Sequence, residues 1–589
     1  MTRRLVLALL VLLLLAACQP NYQIVTVTPT EEAAAVSVLP TEAPPTLIPP
    51  TAPPPTELPP TEAPPAAEPV AAGPLPAERA EFFSTSGVCA VCHANMTDEA
   101  GQNVSLDSQW RSSMMASAAI DPYWQAGVRN EVLMNPDYAD FIQDKCTTCH
   151  MPMARFTAAM HDGQGVLLGE EGFTNPDHPL HTLAMDGISC ALCHQFEGDN
   201  LGTAESFSGH YDINPDLPSG ERHAYGPFPV TETNQIVMQA ASGFIPQEAA
   251  YTRDSAMCGV CHTLYTPTLN DAGEIVGEFA EQMVYPEWEF SAYRDEQSCQ
   301  DCHMPAAEGG VVLSVTGGEP RSPFMQHIYA GGNFYMPDLL RRYREELGFT
   351  AGDEQVEATL AQVMDQLQNR TATLAMTAPV IEDGVLHTAI TVASMVGHKF
   401  PTSYPARRTW LHVTVRDANG AIVFESGAFN PDGSITGNDS DADPALYEPH
   451  YDVITRPDEV QIYEAIMGDV NDQPTTTLLR GAGYLKDNRL LPEGFDKAAA
   501  PPDFQVWGAA LDDPDFVGGS DVVRFAVPVG DAEGPFTVEA ELLYQSIAYR
   551  WAHNLARHDG PETNRFVRYY TEYPSPAAVV ASASAGMPE

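Results

Sequence analysis

The chain has 589 residues, 44% of them apolar, which is enough for two or three domains with real cores and excludes a disordered or fibrous protein. Its 79 acidic residues against 29 basic ones give a formal net charge of -50, so phosphate neutralisation by Lys and Arg is not on offer and nucleic acid is excluded as a partner. A field of that sign suits basic partner proteins and a well-solvated secreted surface.

The N-terminus reads MTRRLVLALLVLLLLAACQP. Its apolar run from Leu5 to Leu15 is too short to cross a bilayer and has the shape of a secretory signal, residues 1–18. The ending LAAC resembles a bacterial lipoprotein signal. That resemblance implies a lipidated Cys18 and a lipid-anchored protein on the extracytoplasmic face of the bacterial cell membrane. The alternative is ordinary cleavage that leaves Cys18 idle. Residues 19–78 read as a stalk: 17 of the 51 prolines fall between Pro20 and Pro76, and P-T-E-A/L-P-P recurs at Pro40, Pro55 and Pro60. Such a segment cannot form a core and favours extended conformations, with a reach on the order of 100 Å.

Residues 79–370 carry the chemistry. Apart from Cys18 there are ten cysteines, and all ten lie in five copies of one motif: Cys89-AV-Cys92-His93, Cys146-TT-Cys149-His150, Cys190-AL-Cys193-His194, Cys258-GV-Cys261-His262 and Cys299-QD-Cys302-His303. Disulfides or zinc would be the usual readings of exported cysteine pairs. The histidine after every second cysteine decides against both. Two thiols three positions apart add to the two vinyl groups of haem, and the adjacent imidazole ligates the iron from one face. The reading is five covalently attached haem c groups with His93, His150, His194, His262 and His303 as proximal ligands.

Met151-Pro152 and Met304-Pro305 follow two of the motifs, and a proline-directed turn explains them better than axial ligation by a neighbour of the proximal histidine. Distal ligands are sought elsewhere. His178 and His181 precede the third motif in HPLHTLAMDGISCALCH, His327 lies in HIYAGGNF before Gly331-Gly332, and His398 sits in the turn MVGHKFPTSYP. Met115, in SQWRSSMMASAA, is a candidate for one His/Met iron or an ordinary core methionine. His161 ranks below these.

After the last cysteine the texture changes. DEQVEATLAQVMDQLQN places Val356, Leu360, Val363 and Leu367 at helical spacing. The segment RTWLHVTVRDANGAIVFESG predicts two strands joined by an Asn419-Gly420 turn, and VVRFAVPV and FTVEAELLYQ predict further strands. The fold expected is α+β, a mostly helical and loop-rich cytochrome domain followed by an antiparallel β-sandwich over residues 371–548. Residues 549–589 are read as a C-terminal helix and tail, with His553 a packing residue.

The five motifs, DGISCALCHQ, EQMVYPEWEFSAY, HIYAGGN and GHKFPTSYPARRTWLHV together resemble the multihaem cytochromes c related to hydroxylamine oxidoreductase and pentahaem nitrite reductase. The resemblance implies closely stacked haems, electron hopping, and distal histidines remote in sequence, which adds to the case for His181, His327 and His398. One departure is that many nitrite reductases carry Cys-x-x-Cys-Lys at the catalytic haem, whereas all five motifs here end in His.

Electron transfer between redox proteins, such as other cytochromes or a membrane oxidoreductase, is the leading reading. The alternative is an oxidoreductase acting on a small nitrogen or sulfur compound at one open iron. Its proton donors are sought among His210, Tyr211, His223 and Tyr225. A lipoprotein whose sandwich binds a partner while the haems are auxiliary is a third class.

Overall fold

Short helices joined by long loops make up the first half of the structure, and the attachment motifs account for much of that pattern. The second to fifth motifs lie in or open the helices Ala139–His150, Cys190–Cys193, Ala256–His262 and Cys299–His303; the first straddles the end of Ser86–Ala90. One helical turn sets thiols three positions apart on a single face. The computed structural model describes residues 69–587, so the signal segment, Cys18 and the stalk up to residue 68 lie outside the described residues. Among the described residues no helix is long and apolar enough to cross a membrane.

Four short strands belong to this half. β1 (Arg222–Gly226) pairs in parallel with β2 (Phe244–Glu248), and β3 (Thr263–Leu269) pairs antiparallel with β4 (Ile275–Met283), starting directly after His262. The helix Pro122–Met134 has Pro at its first position and Asp121 as its cap, which accepts from the backbone N–H of Tyr123 at 2.8 Å and Trp124 at 3.2 Å. Phe83, Phe156, Phe173, Phe196 and Leu192 form an apolar core beneath the second and third motifs.

The predicted helix is present as Asp353–Arg370 and buries Val356, Val363 and Leu367. Beyond it stand two facing sheets. One contains β5 (Ala372–Met376), β6 (Val380–Glu382), β7 (Val385–Ser394), β10 (Val453–Ile454) and β13 (Ser520–Pro528). The other contains β8 (Arg408–Arg416), β9 (Ile422–Ser426), β11 (Ile462–Gly468), β12 (Gly483–Asp487), β14 (Thr537–Gln545) and β15 (Ala577–Gly586). Alternate residues from both sheets meet in one core: Leu386, Ile390, Val392, Val523 and Phe525 from the first, Leu411, Val413, Val538 and Leu542 from the second. Each such side chain contributes roughly 1.5–3 kcal/mol by leaving water. The expected hairpin is β8–β9, with Gly420 at φ +79°, the left-handed geometry its turn requires.

The expected α+β fold with an antiparallel sandwich is present, the two-residue β10 alone running parallel to its neighbour β13 among the described strands of the two sheets. One expectation needs correction: the sandwich does not end at residue 548. After the helices Tyr549–Leu555 and Pro561–Glu572 the chain returns as β15 and pairs along the whole of β14. Helix Pro561–Glu572 meanwhile packs against Pro122–Met134, where Arg129 Nε bonds Glu562 at 2.6 Å. The described residues 69–587 belong to one compact unit, so the sandwich is not an appendage.

Candidate cofactor site

All five motifs line one connected cavity of about 1790 Å³. This is larger than a single small-molecule pocket of ~300–1,000 Å³. None of the ten cysteines is in a disulfide. Thiols of different motifs lie against one another: Cys89 with Cys190, Cys149 with Cys261, and Cys258 with Cys299. These contacts join the first motif to the third, and the fourth to both the second and the fifth.

The histidines are held by their far nitrogens. Nδ1 donates to a backbone carbonyl at His93 (Leu313, 2.7 Å), His150 (Ala118, 3.1 Å), His194 (Tyr225, 2.6 Å) and His303 (Ala330, 2.5 Å). That hydrogen bond fixes the tautomer and leaves Nε2 as a lone-pair donor, the usual support for a metal-bound imidazole. Burial pushes His150 and His262 down to about 4, so both stay neutral, as ligation requires. Trp124 stacks on the His150 ring at 4.2 Å and 2°.

Two of the predicted distal ligands face proximal ones. The rings of His194 and His327 stand 6.4 Å apart at 18°, and those of His303 and His398 stand 6.2 Å apart at 8°. Two metal–nitrogen bonds of about 2 Å plus two ring radii leave such a gap. His327 Nδ1 donates to Met325 at 3.0 Å and His398 Nδ1 to Lys399 at 2.8 Å, again leaving Nε2 free. The residues present fit covalently attached haem, and each of the two imidazole pairs would hold one iron.

The remaining candidates divide. His181 has the same Nδ1 support, from Phe173 at 2.8 Å, but is not among the residues lining the cavity. His178 is not brought to the lining either. Its Nδ1 accepts from Leu180 N–H at 3.1 Å, which puts the proton on Nε2, the opposite of what a ligand needs. Met115 lines the cavity beside the third motif, and its carbonyl accepts from Ile188 at 3.1 Å. His161 is exposed and pairs with Glu81. Met151 is fully buried and ends the second motif's helix, and Pro152 opens the next one, so the Met-Pro step there is a turn.

No protein-family model and no curated protein matches the chain. Among solved structures the chain is similar to a penta-heme cytochrome c552 from Thermochromatium tepidum, with 16% identity over 85% of this chain and 98% of that one and a TM-score of 0.43.

One end of the cavity is polar, and no sequence pattern marked it. Tyr123 and Tyr404 meet edge to face at 6.1 Å, and Arg407, held by the Thr402 carbonyl, lies near both Asp121 and His262. Glu131 and Glu281 line the same end at 3% and 2% exposure. Among the described residues no second imidazole faces His150 or His262 at the spacing of the two pairs above. The proton donors sought in the sequence lie elsewhere. His210 is exposed, Tyr211 stacks on Phe196, and His223 and the Tyr225 hydroxyl form a chain to Glu197. The contribution of β1 is the Tyr225 carbonyl that orients His194.

Proposed function

We propose that the chain is a pentahaem cytochrome c that carries single electrons between redox proteins, tethered by lipid on Cys18 to the outer face of the cell membrane. The observation that carries this reading is the run of five attachment motifs around one continuous cavity, with imidazole pairs at His194/His327 and His303/His398. Bound haem supplies the reversible one-electron couple. The chain's own residues supply thiols for attachment and fix the imidazoles of His93, His150, His194 and His303 through Nδ1. The strongly negative surface suits basic redox partners.

A second reading, oxidation or reduction of a small nitrogen or sulfur compound at an open iron, draws on Tyr123, Tyr404 and Arg407 at the polar end of the cavity. These groups would hold an anionic or proton-accepting ligand near His262.

Haem counting by pyridine haemochrome on the exported protein tests the cofactor load. Electron paramagnetic resonance of the ferric protein, with and without nitrite and hydroxylamine, separates the two readings. Low-spin signals indifferent to both compounds support the carrier, and a high-spin component that shifts with either supports the enzyme.

A further inference from the structure

His398 comes from the loop joining β7 to β8, which reaches from the sandwich to the haem-bearing half, and four buried charges meet behind it. Glu287, in the helix Val284–Glu289 of the haem-bearing half, accepts at Oε2 from the Lys399 backbone N–H at 3.2 Å and the Thr402 hydroxyl at 2.6 Å. Its Oε1 lies 2.9 Å from Arg489 Nη2. Arg489 grips Asp487 with two hydrogen bonds of 2.8 and 2.7 Å, and Lys399 Nζ reaches Asp487 Oδ2 at 2.7 Å. Glu287, Lys399 and Asp487 are wholly buried, and Arg489 is nearly so. Asp487 ends β12, so the sandwich supplies one side of the cluster and the haem-bearing half the other.

Two cations and two carboxylates sum to zero. Buried charges of this kind are costly unless every partner is present. They are ordinarily weak evidence for stability, so a neutral four-member cluster needs another role. The loop it pins is the one whose Lys399 carbonyl orients His398 Nδ1.

We infer that Glu287 is a positioning residue that fixes His398 opposite His303 and sets the electrostatic field at that haem site. The inference rests on the haem reading above. Removing the Glu287 charge leaves the cluster at net +1, which favours the reduced, less positive iron. Removing the Lys399 charge leaves it at net -1 and favours the oxidised one.

The test is spectroelectrochemistry and paramagnetic resonance on the holoprotein for Glu287→Gln, Lys399→Met and His398→Ala. His398→Ala is expected to abolish one low-spin signal. Glu287→Gln is expected to keep the haem count, to alter that same signal, and to raise one midpoint potential. Lys399→Met is expected to lower the same potential. If Glu287→Gln does not accumulate with haem, Thr402→Val removes one hydrogen bond to the same carboxylate while leaving the four charges paired, and should alter the same signal. The inference is overturned if His398→Ala removes a signal while the Glu287, Thr402 and Lys399 variants leave both signal and potential as in the wild type. If His398→Ala removes none, the pairing of His303 with His398 has failed, and the inference with it.

Discussion

His194 and His327 meet ring to ring at 6.4 Å, although one follows a cysteine pair and the other lies in a loop more than a hundred residues further on. Each is oriented by its own backbone carbonyl, so neither depends on the other for its position. His327→Ala is therefore expected to open one iron without detaching haem, because Cys190 and Cys193 remain. Paramagnetic resonance should show one low-spin signal replaced by a high-spin one at unchanged haemochrome yield, and His398→Ala should do the same to a different signal.

Arg408 is buried at the start of β8. It bonds Asp441 at 2.8 Å, Gln545 at 2.8 Å and the Gly433 carbonyl at 3.0 Å. Arg408→Met roughly keeps the volume but removes the cation paired with Asp441 Oδ1, leaving that carboxylate, only 4% exposed, with the Ile435 N–H on Oδ2. A loss of about 3–5 kcal/mol is expected, read as a lower midpoint in denaturant unfolding, while Arg408→Met/Asp441→Asn recovers part of it.

Burial pushes Glu131 and Glu281 up to about 7, and for Glu131 the neighbouring Glu281 charge adds to the effect. Glu131 also accepts from the N–H groups of Leu478 and Leu479, which partly offsets it. Unfolded glutamate titrates near ~4.3. Because the folded values are raised, the stability linked to these groups is fully present below pH ~4.3 and is lost as pH rises through about 7, when ionised carboxylates must stay buried. The loss is up to about 3 kcal/mol per group. Thermal unfolding of the holoprotein between pH ~4 and ~8 should decline less steeply for Glu281→Gln than for the wild type.

Gly187 stands just before the third motif at φ +62°, and a Cβ there would lie 2.5 Å from the Ala116 carbonyl. Gly187→Ala faces both the left-handed backbone cost, roughly 1–2 kcal/mol, and that clash. Lower haem yield at Cys190 and Cys193, measured by mass spectrometry of the haem peptides, is the expected outcome.

Haem attachment is chemistry of adjacent residues, which is why the five motifs could be read directly from the sequence. Distal ligation is not local. His327 and His398 stood out through their glycine and proline neighbours, but their pairing with His194 and His303 depends on how distant loops close. His178 ranked below His181 in the sequence, and the structure separates them further: the backbone engages Nδ1 of both, as an acceptor in His178 and as a donor in His181. Tyr123 and Glu131 come from the helix Pro122–Met134, Tyr404 and Arg407 from the loop before β8, and Glu281 from β4, so nothing linear groups all five. The hairpin at Asn419-Gly420 and the helix at Asp353–Arg370 were legible because each obeys one periodicity. β15 was missed because AAVVASASAG alternates only small side chains, which gives little apolar contrast.

The strand that closes the sandwich is the final element of the chain, and His398, β12 and the helix packed on Pro122–Met134 also follow the last attachment cysteine. A polypeptide made N-terminus first thus presents all ten thiols before the parts that wall them in are made. On the proposed haem reading, that chain order favours loading while the chain is open and sealing by its C-terminal third.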